Sequence, residues 1–248
     1  TQPNIDGAEI RNLLDIAERC GCTLSRLPRI TQLDSGLPDK IETQPIAVED
    51  LLGRPQTTLD RDMMQSLVGG KNILVTGSGG SIGSELVRQT ITLKPASITL
   101  YDNSEFQLYQ IDQEMAETFP DIPRYTVLGD VRDETRIEQV FKARQPQLVF
   151  HAAALKHVPM VEQNPMEGVL TNVAGSRNVA DACARHKISA MVLISTDKAV
   201  NPTNIMGATK RIAESYCQAL DLNSNEDSST RFVTVRFGNV LGSTGSVV

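Results

Sequence analysis

The stretch "ILVTGSGGSIGSELVRQ", Ile73 to Gln89, decides the fold. An apolar run leads into Gly77, Gly79, Gly80 and Gly83, and an amphipathic segment follows them. This is a strand, a tight turn and a helix in direct succession. Glycines let the backbone turn sharply and approach a pyrophosphate closely, while the opening of the helix, at Ser81 and Ile82, offers unpaired N–H groups to it. About 20 residues beyond the glycines, Asp102 ends the next apolar run. An acid there suits a ribose 2′-hydroxyl and repels a 2′-phosphate, so the pattern points to NAD rather than NADP.

The same rhythm continues outward. Apolar runs at 71–76, 97–102, 124–129, 147–152, 190–196 and 231–237 read as strands. Helical patterns fall between them near 81–93, 104–119, 133–144, 166–186 and 207–222. Strands that are apolar on both faces and alternate with helices imply an α/β fold, a doubly wound parallel sheet of the Rossmann kind.

Residues 1–70 differ in texture. Ile10, Leu13, Leu14 and Ala17 recur at helical spacing, with Asp6 and Glu9 placed as a capping box and Gly21 as a stop. "CTLSRLPRI" reads as a strand, "TQLDSGLPDKIETQP" as a punctuated linker, and "VEDLLGR" and "DRDMMQSLVGG" as short helices. This is too little material for an independent core. It is expected to be an N-terminal arm or linker from a preceding domain, with the NAD-binding domain spanning 71–248.

Composition narrows the partners. The 248 residues are 40% hydrophobic and 22% charged, with a net charge of −6, which supplies no basic stripe for a nucleic acid. Small molecules are the expected partners. Cys20, Cys22, Cys183 and Cys217 lack zinc-like spacing, so no metal site is expected. Four free thiols suggest a reducing compartment, the cytosol. No run is long enough to span a bilayer, and no signal-peptide pattern is present. The first residue is Thr1 and the last residues are "LGSTGSVV"; both ends read as cut.

The glycine turn also fits T-G-x-x-G-x-x-G (Thr76, Gly77, Gly80, Gly83) and resembles the extended short-chain dehydrogenase/reductase superfamily. Further segments agree with the resemblance. "GDVRD" puts Asp130 and Val131 where that superfamily holds adenine. "HAAALKHV" puts Ala152, Ala153 and Ala154 along the cofactor, and "TNVAGSRN" supplies Asn172 behind it. In the superfamily, a Tyr and a Lys four apart share a helix face and move the substrate's hydroxyl proton. Lys210 is present, to bind the nicotinamide ribose, but position 206 is Met. A thioether neither donates nor accepts a proton, so the usual dehydrogenase or 4-epimerase route is excluded.

Asp197 and Lys198 follow Ser195 and Thr196 at the carboxyl end of a strand, where doubly wound sheets place their ligands. Such a pair can serve as acid and base if its surroundings separate the two pKa values; taken alone it reads better as a surface charge pair, and the cofactor motifs beside it reverse that reading. "STDKAVNP" and "GATK", with "AALKHVP" and "RFGNVLGS", resemble the nucleotide-sugar 4,6-dehydratases, and within them the UDP-N-acetylglucosamine 4,6-dehydratases of bacterial surface-polysaccharide synthesis. Their large membrane-anchored branch carries Met where Met206 stands.

The resemblance implies Asp197 as the acid at the C6 hydroxyl and Lys198 as the base at C5. Thr196 is the candidate acceptor of the C4-hydroxyl proton, relaying to Asp197 or through water to Lys210. Lys156 is placed at the substrate and Asn239 at a diphosphate oxygen, while His157 stays open between a ligand role and a packing one. Met206 itself would pack against nicotinamide or sugar. The resemblance further implies a homo-oligomer, a substrate domain largely beyond residue 248 and hence truncated here, and an amino-terminal membrane region. The chain would then be the cytoplasmic part of a bacterial inner-membrane protein. The open alternatives are an epimerase or reductase on the same fold and a catalytically silent NAD-binding module.

Overall fold

The structure, a computed structural model, describes residues 7–26, 44–45, 60–223, 230–238 and 240. Two compact units divide the chain, 1–59 and 60–248. In the first, helix α1 (Gly7–Arg19) ends where Gly21 adopts φ +64°, and the Cys22 N–H reaches back to the Ala17 carbonyl at 2.8 Å. That is the glycine stop expected from sequence. Of the expected strand, Ser25–Arg26 pairs antiparallel with Gln44–Pro45. Asp6, most of the linker and "VEDLLGR" lie outside the described residues.

The second unit begins at Asp60, ahead of the alternating pattern. Asp60 caps α2 (Arg61–Val68) by accepting from the Met63 N–H, and Val68 is buried in the core of this unit. Six strands follow: β1 (Asn72–Thr76), β2 (Ser97–Asp102), β3 (Arg124–Leu128), β4 (Leu148–His151), β5 (Ala190–Thr196) and β6 (Arg231–Phe237). All neighbours pair in parallel, in the order β3-β2-β1-β4-β5-β6. The doubly wound parallel sheet read from the sequence is therefore present.

Alternation along each strand builds two cores. Ile73 and Val75 of β1 join Val87, Ile91, Leu108 and Ile111 beneath α3 (Ser81–Thr92) and α4 (Glu105–Thr118). Leu74 faces the other way, among Ile137 and Phe141 of α5 (Glu134–Arg144) and residues from the helices after β4 and β5. The strand order reverses between β1 and β4. Their carboxyl ends diverge into the crevice where such sheets bind ligands.

The helix expected at 166–186 is more elaborate. A short α6 (Val158–Gln163) precedes it, and Pro165 then opens α7 (Pro165–Gly168). A π-helical stretch (Val169–Gly175) carries the chain into α8 (Ser176–Arg185). After β5 a 3-10 turn (Asp197–Ala199) leads towards α9 (Ile205–Leu222), capped by Asn204, which accepts from the Gly207 N–H at 2.7 Å. Among the described residues no helix is long and apolar enough to cross a membrane.

Candidate active site

The turn after β1 is built so that backbone replaces side chain. Gly77 adopts φ +68°, and a Cβ there would come within 2.5 Å of the Ala153 nitrogen. A Cβ on Gly83 would lie 1.8 Å from the Gly77 carbonyl oxygen. Only glycine lets α3 start so close beneath the turn. Gly80 is the N-cap of that helix, with Ser81 and Ile82 as its first residues. Asp102, buried at the end of β2, receives the Gly79 N–H at 2.8 Å and the Ser104 N–H at 2.9 Å, one on each carboxylate oxygen. Each oxygen keeps lone-pair capacity for a ribose hydroxyl. Among the described residues, the buried Ser78 hydroxyl in this turn is the side-chain polar atom left without a partner. The tight glycine turn, the helix N-terminus and the acid fit a dinucleotide.

Across the crevice, Ala152 continues from β4 with its N–H on the Thr76 carbonyl, and Ala152 to Ala154 are half-buried. Asp130 is engaged by Arg132. Its two oxygens take the Arg132 N–H and guanidinium, at 2.6–2.9 Å, and Arg132 also binds Glu167. Burial works to raise the Asp130 carboxyl, but Arg132 outweighs it and holds the group below its usual range. Val131 is buried in the core, and its carbonyl accepts from Asn178.

Asn172 is fully buried in the π-helical stretch. Its amide oxygen accepts from the Leu155 N–H at 2.8 Å, and its nitrogen donates to the Leu155 carbonyl and to Thr209. Its amide therefore grips the segment after β4. Lys156 and His157 are exposed on that segment, and His157 precedes α6. Asn239 lies outside the described residues.

The structure brings the chemistry-bearing residues together at the end of β5. The Thr196 hydroxyl donates to Asp197 Oδ1 at 2.9 Å, and Lys198 Nζ donates to the same oxygen at 3.2 Å. Both bonds, Thr196 first, hold the Asp197 carboxyl below its usual range. At rest Asp197 is thus a carboxylate, not a ready acid. Lys210 is buried and donates to the Ile194 carbonyl at 2.6 Å, and burial lowers its ammonium pKa to about 8. Met206 is buried one turn before it, its carbonyl accepting from the Thr209 hydroxyl.

Two features escape sequence reading. His151, the last residue of β4, is fully buried between Thr76 (2.6 Å from Nδ1) and Ser176 (2.9 Å from Nε2). Burial, with the nearby Lys210 charge, lowers its pKa to about 3, so the ring is neutral. Glu214 on α9 collects Ser195, Arg211 and Arg236. A lone His in an apolar strand and a Glu amid helical charges carry no motif; both needed the strand order to gain neighbours. Cys183 and Cys217 are buried free thiols, and Cys20 and Cys22 are exposed ones.

The family model described as polysaccharide biosynthesis protein matches residues 73–248. Capsular polysaccharide biosynthesis protein CapD of Staphylococcus aureus is 44% identical over 248 residues, 99% of this chain and 41% of its own length. A UDP-N-acetylglucosamine 4,6-dehydratase (inverting) of Campylobacter jejuni, strain 81-176, is 41% identical over 180 residues, 72% of this chain and 52% of its own. A UDP-glucose 4-epimerase of Rickettsia bellii, strain OSU 85-389, is 37% identical over 182 residues, 72% and 51% of the two chains. Among solved structures, Pen from Bacillus thuringiensis is 37% identical with a TM-score of 0.65, covering 72% of this chain and 53% of that one. The chain spans about half, or less, of the length of these relatives.

Proposed function

The chain belongs to the polysaccharide biosynthesis protein family, and from that premise we propose that the full-length protein is an NAD-dependent nucleotide-sugar 4,6-dehydratase. Its proposed substrate is UDP-N-acetylglucosamine and its product the UDP 4-keto-6-deoxy sugar, made for a surface polysaccharide. The observation that carries the reading is the Thr196–Asp197–Lys198 cluster, hydrogen-bonded at the end of β5, beside a Met206 that cannot move protons.

The glycine turn and Asp102 would hold NAD, with Lys210 at the nicotinamide ribose. When bound, NAD supplies a hydride acceptor at C4 and a hydride donor at C6. The protein's own residues handle the protons. Thr196 takes the C4-hydroxyl proton and passes its own to Asp197 along the bond already formed. Asp197, a carboxylate at rest, becomes by this transfer the acid that protonates the departing C6 hydroxyl. The transfer also neutralises the anion 3.2 Å from Lys198, so the Lys198 ammonium gives up a proton to water and, as the neutral amine, acts as base at C5. Lys198, its nitrogen protons exchanging with solvent, then returns a proton to C5. The C4-hydroxyl proton leaves as part of water, and Lys198 regains its resting proton from solvent, so the residues are restored.

An epimerase of the same superfamily would want a proton-moving side chain at 206, which Met206 does not supply. A silent NAD-binding module would have no use for Asp197, Lys198 and Lys210 together. We place the enzyme on the cytoplasmic side of a bacterial inner membrane, reached through a membrane-anchored region of the full protein; four cysteines whose spacing suggests free thiols accord with that side. The test is incubation of the full-length protein, loaded with NAD, with UDP-N-acetylglucosamine. A product lighter by one water supports the reading. A C4 epimer of unchanged mass, or unchanged substrate, refutes it.

A further inference from the structure

Glu214 lies on α9 one turn beyond Lys210, on the same helix face, and is 4% exposed. The Ser195 hydroxyl donates to its Oε1 at 2.6 Å. Arg236 grips the same carboxylate from β6 with two bonds, Nε to Oε1 at 2.9 Å and Nη2 to Oε2 at 2.6 Å. Ser195 and Arg236 are direct partners in the β5–β6 register. One carboxylate thus ties two adjacent strands to one helix. Arg211, at 3.4 Å, completes the set. Burial works to raise the Glu214 carboxyl, but Arg236 and Ser195 outweigh it and keep it ionised.

The neighbouring residue of β5 is held as well. Lys210 donates to the Ile194 carbonyl at 2.6 Å, while Glu214 accepts from Ser195. Two consecutive residues of β5 are therefore fixed by side chains four apart on α9, and the next three are Thr196, Asp197 and Lys198. The Glu214–Arg236 pair behind that strand end is charge-assisted and bidentate, a strong and directional kind of hydrogen-bond arrangement. We propose that Glu214 is a positioning residue: through Ser195 and Arg236 it sets the end of β5 and so the geometry of the Thr196–Asp197–Lys198 cluster. It touches neither sugar nor cofactor. The effect on turnover rests on the dehydratase reading; the effect on geometry does not.

Full-length protein with methyl-labelled threonine separates the two. In E214Q, which preserves shape and removes the charge, the Thr196 methyl resonance should shift and broaden, while the Thr76 methyl in the cofactor turn stays in place. With UDP-N-acetylglucosamine, E214Q and S195A should lower kcat by about 10- to 100-fold, the scale of a misplaced reacting group, with KM within about twofold and NAD content unchanged. S195T, which restores the hydroxyl, should recover most of the rate. An unmoved Thr196 methyl in E214Q overturns the proposal. So does a loss of activity that merely follows the loss of folded, NAD-loaded protein. If the wild-type protein converts no nucleotide sugar, the functional reading falls, and the methyl signal alone decides on Glu214.

Discussion

The Thr196 hydroxyl points its proton at the Asp197 carboxylate across 2.9 Å, so the acceptor for a proton leaving the sugar is in place before any substrate arrives. The same bond keeps Asp197 ionised at rest. A carboxylate that must become an acid during turnover is best charged by the neighbour from which it already accepts.

That relay makes Thr196 more sensitive than Met206. T196A should lower kcat by about 100-fold, the range of a lost general acid–base group, while T196S retains most of the rate. M206L should leave kcat nearly unchanged, because one apolar packing residue replaces another of similar volume. Steady-state kinetics on the three variants decides; equal rates for T196A and wild type would remove Thr196 from the path.

The cofactor turn leaves no room for a methyl group. In G83A the new Cβ would meet the Gly77 carbonyl oxygen at 1.8 Å, so the turn and the start of α3 must separate. A cost of about 1–3 kcal/mol in stability is expected from such overpacking, visible as a lower melting temperature, with NAD affinity falling by at least about tenfold in calorimetry.

Much of this arrangement is legible in the sequence because it is local. Glycine spacing, Asp102 at a strand end and the apolar runs each signal through neighbours a few residues apart, and strands β2, β5 and β6 occupy the expected residues. Two features are not local. The 3.6-residue periodicity read over 166–186 does not register a π-helical stretch, whose hydrogen bonds run to the fifth residue. That stretch carries Asn172, whose amide meets Leu155 and Thr209, neighbours that the sequence does not announce. Glu214 and Arg236 likewise meet only because β6 lies beside β5.

Lys210 gives stability a pH signature. Its pKa falls from 10.5 to about 8 on burial, so between those values the unfolded chain binds more protons than the folded one, and stability rises with pH. The contribution is complete above about 10.5 and is lost as pH falls towards 8. In full it is on the order of 3 kcal/mol. Unfolding of wild type and K210M, measured from pH 7 to 10, should show the difference moving in wild type's favour as pH rises; a difference independent of pH would place the Lys210 ammonium in contact with water.

The most direct measurement of the account is proton NMR of UDP-N-acetylglucosamine turned over by NAD-loaded full-length protein in D2O. Loss of water across C5–C6, with Lys198 returning a proton at C5, should give a 4-keto-6-deoxy sugar carrying solvent deuterium at C5. A 4-keto-6-deoxy product with no deuterium at C5 would contradict the proposed base and its exchange with solvent. Unchanged sugar, from protein shown to hold NAD, would contradict the dehydratase itself.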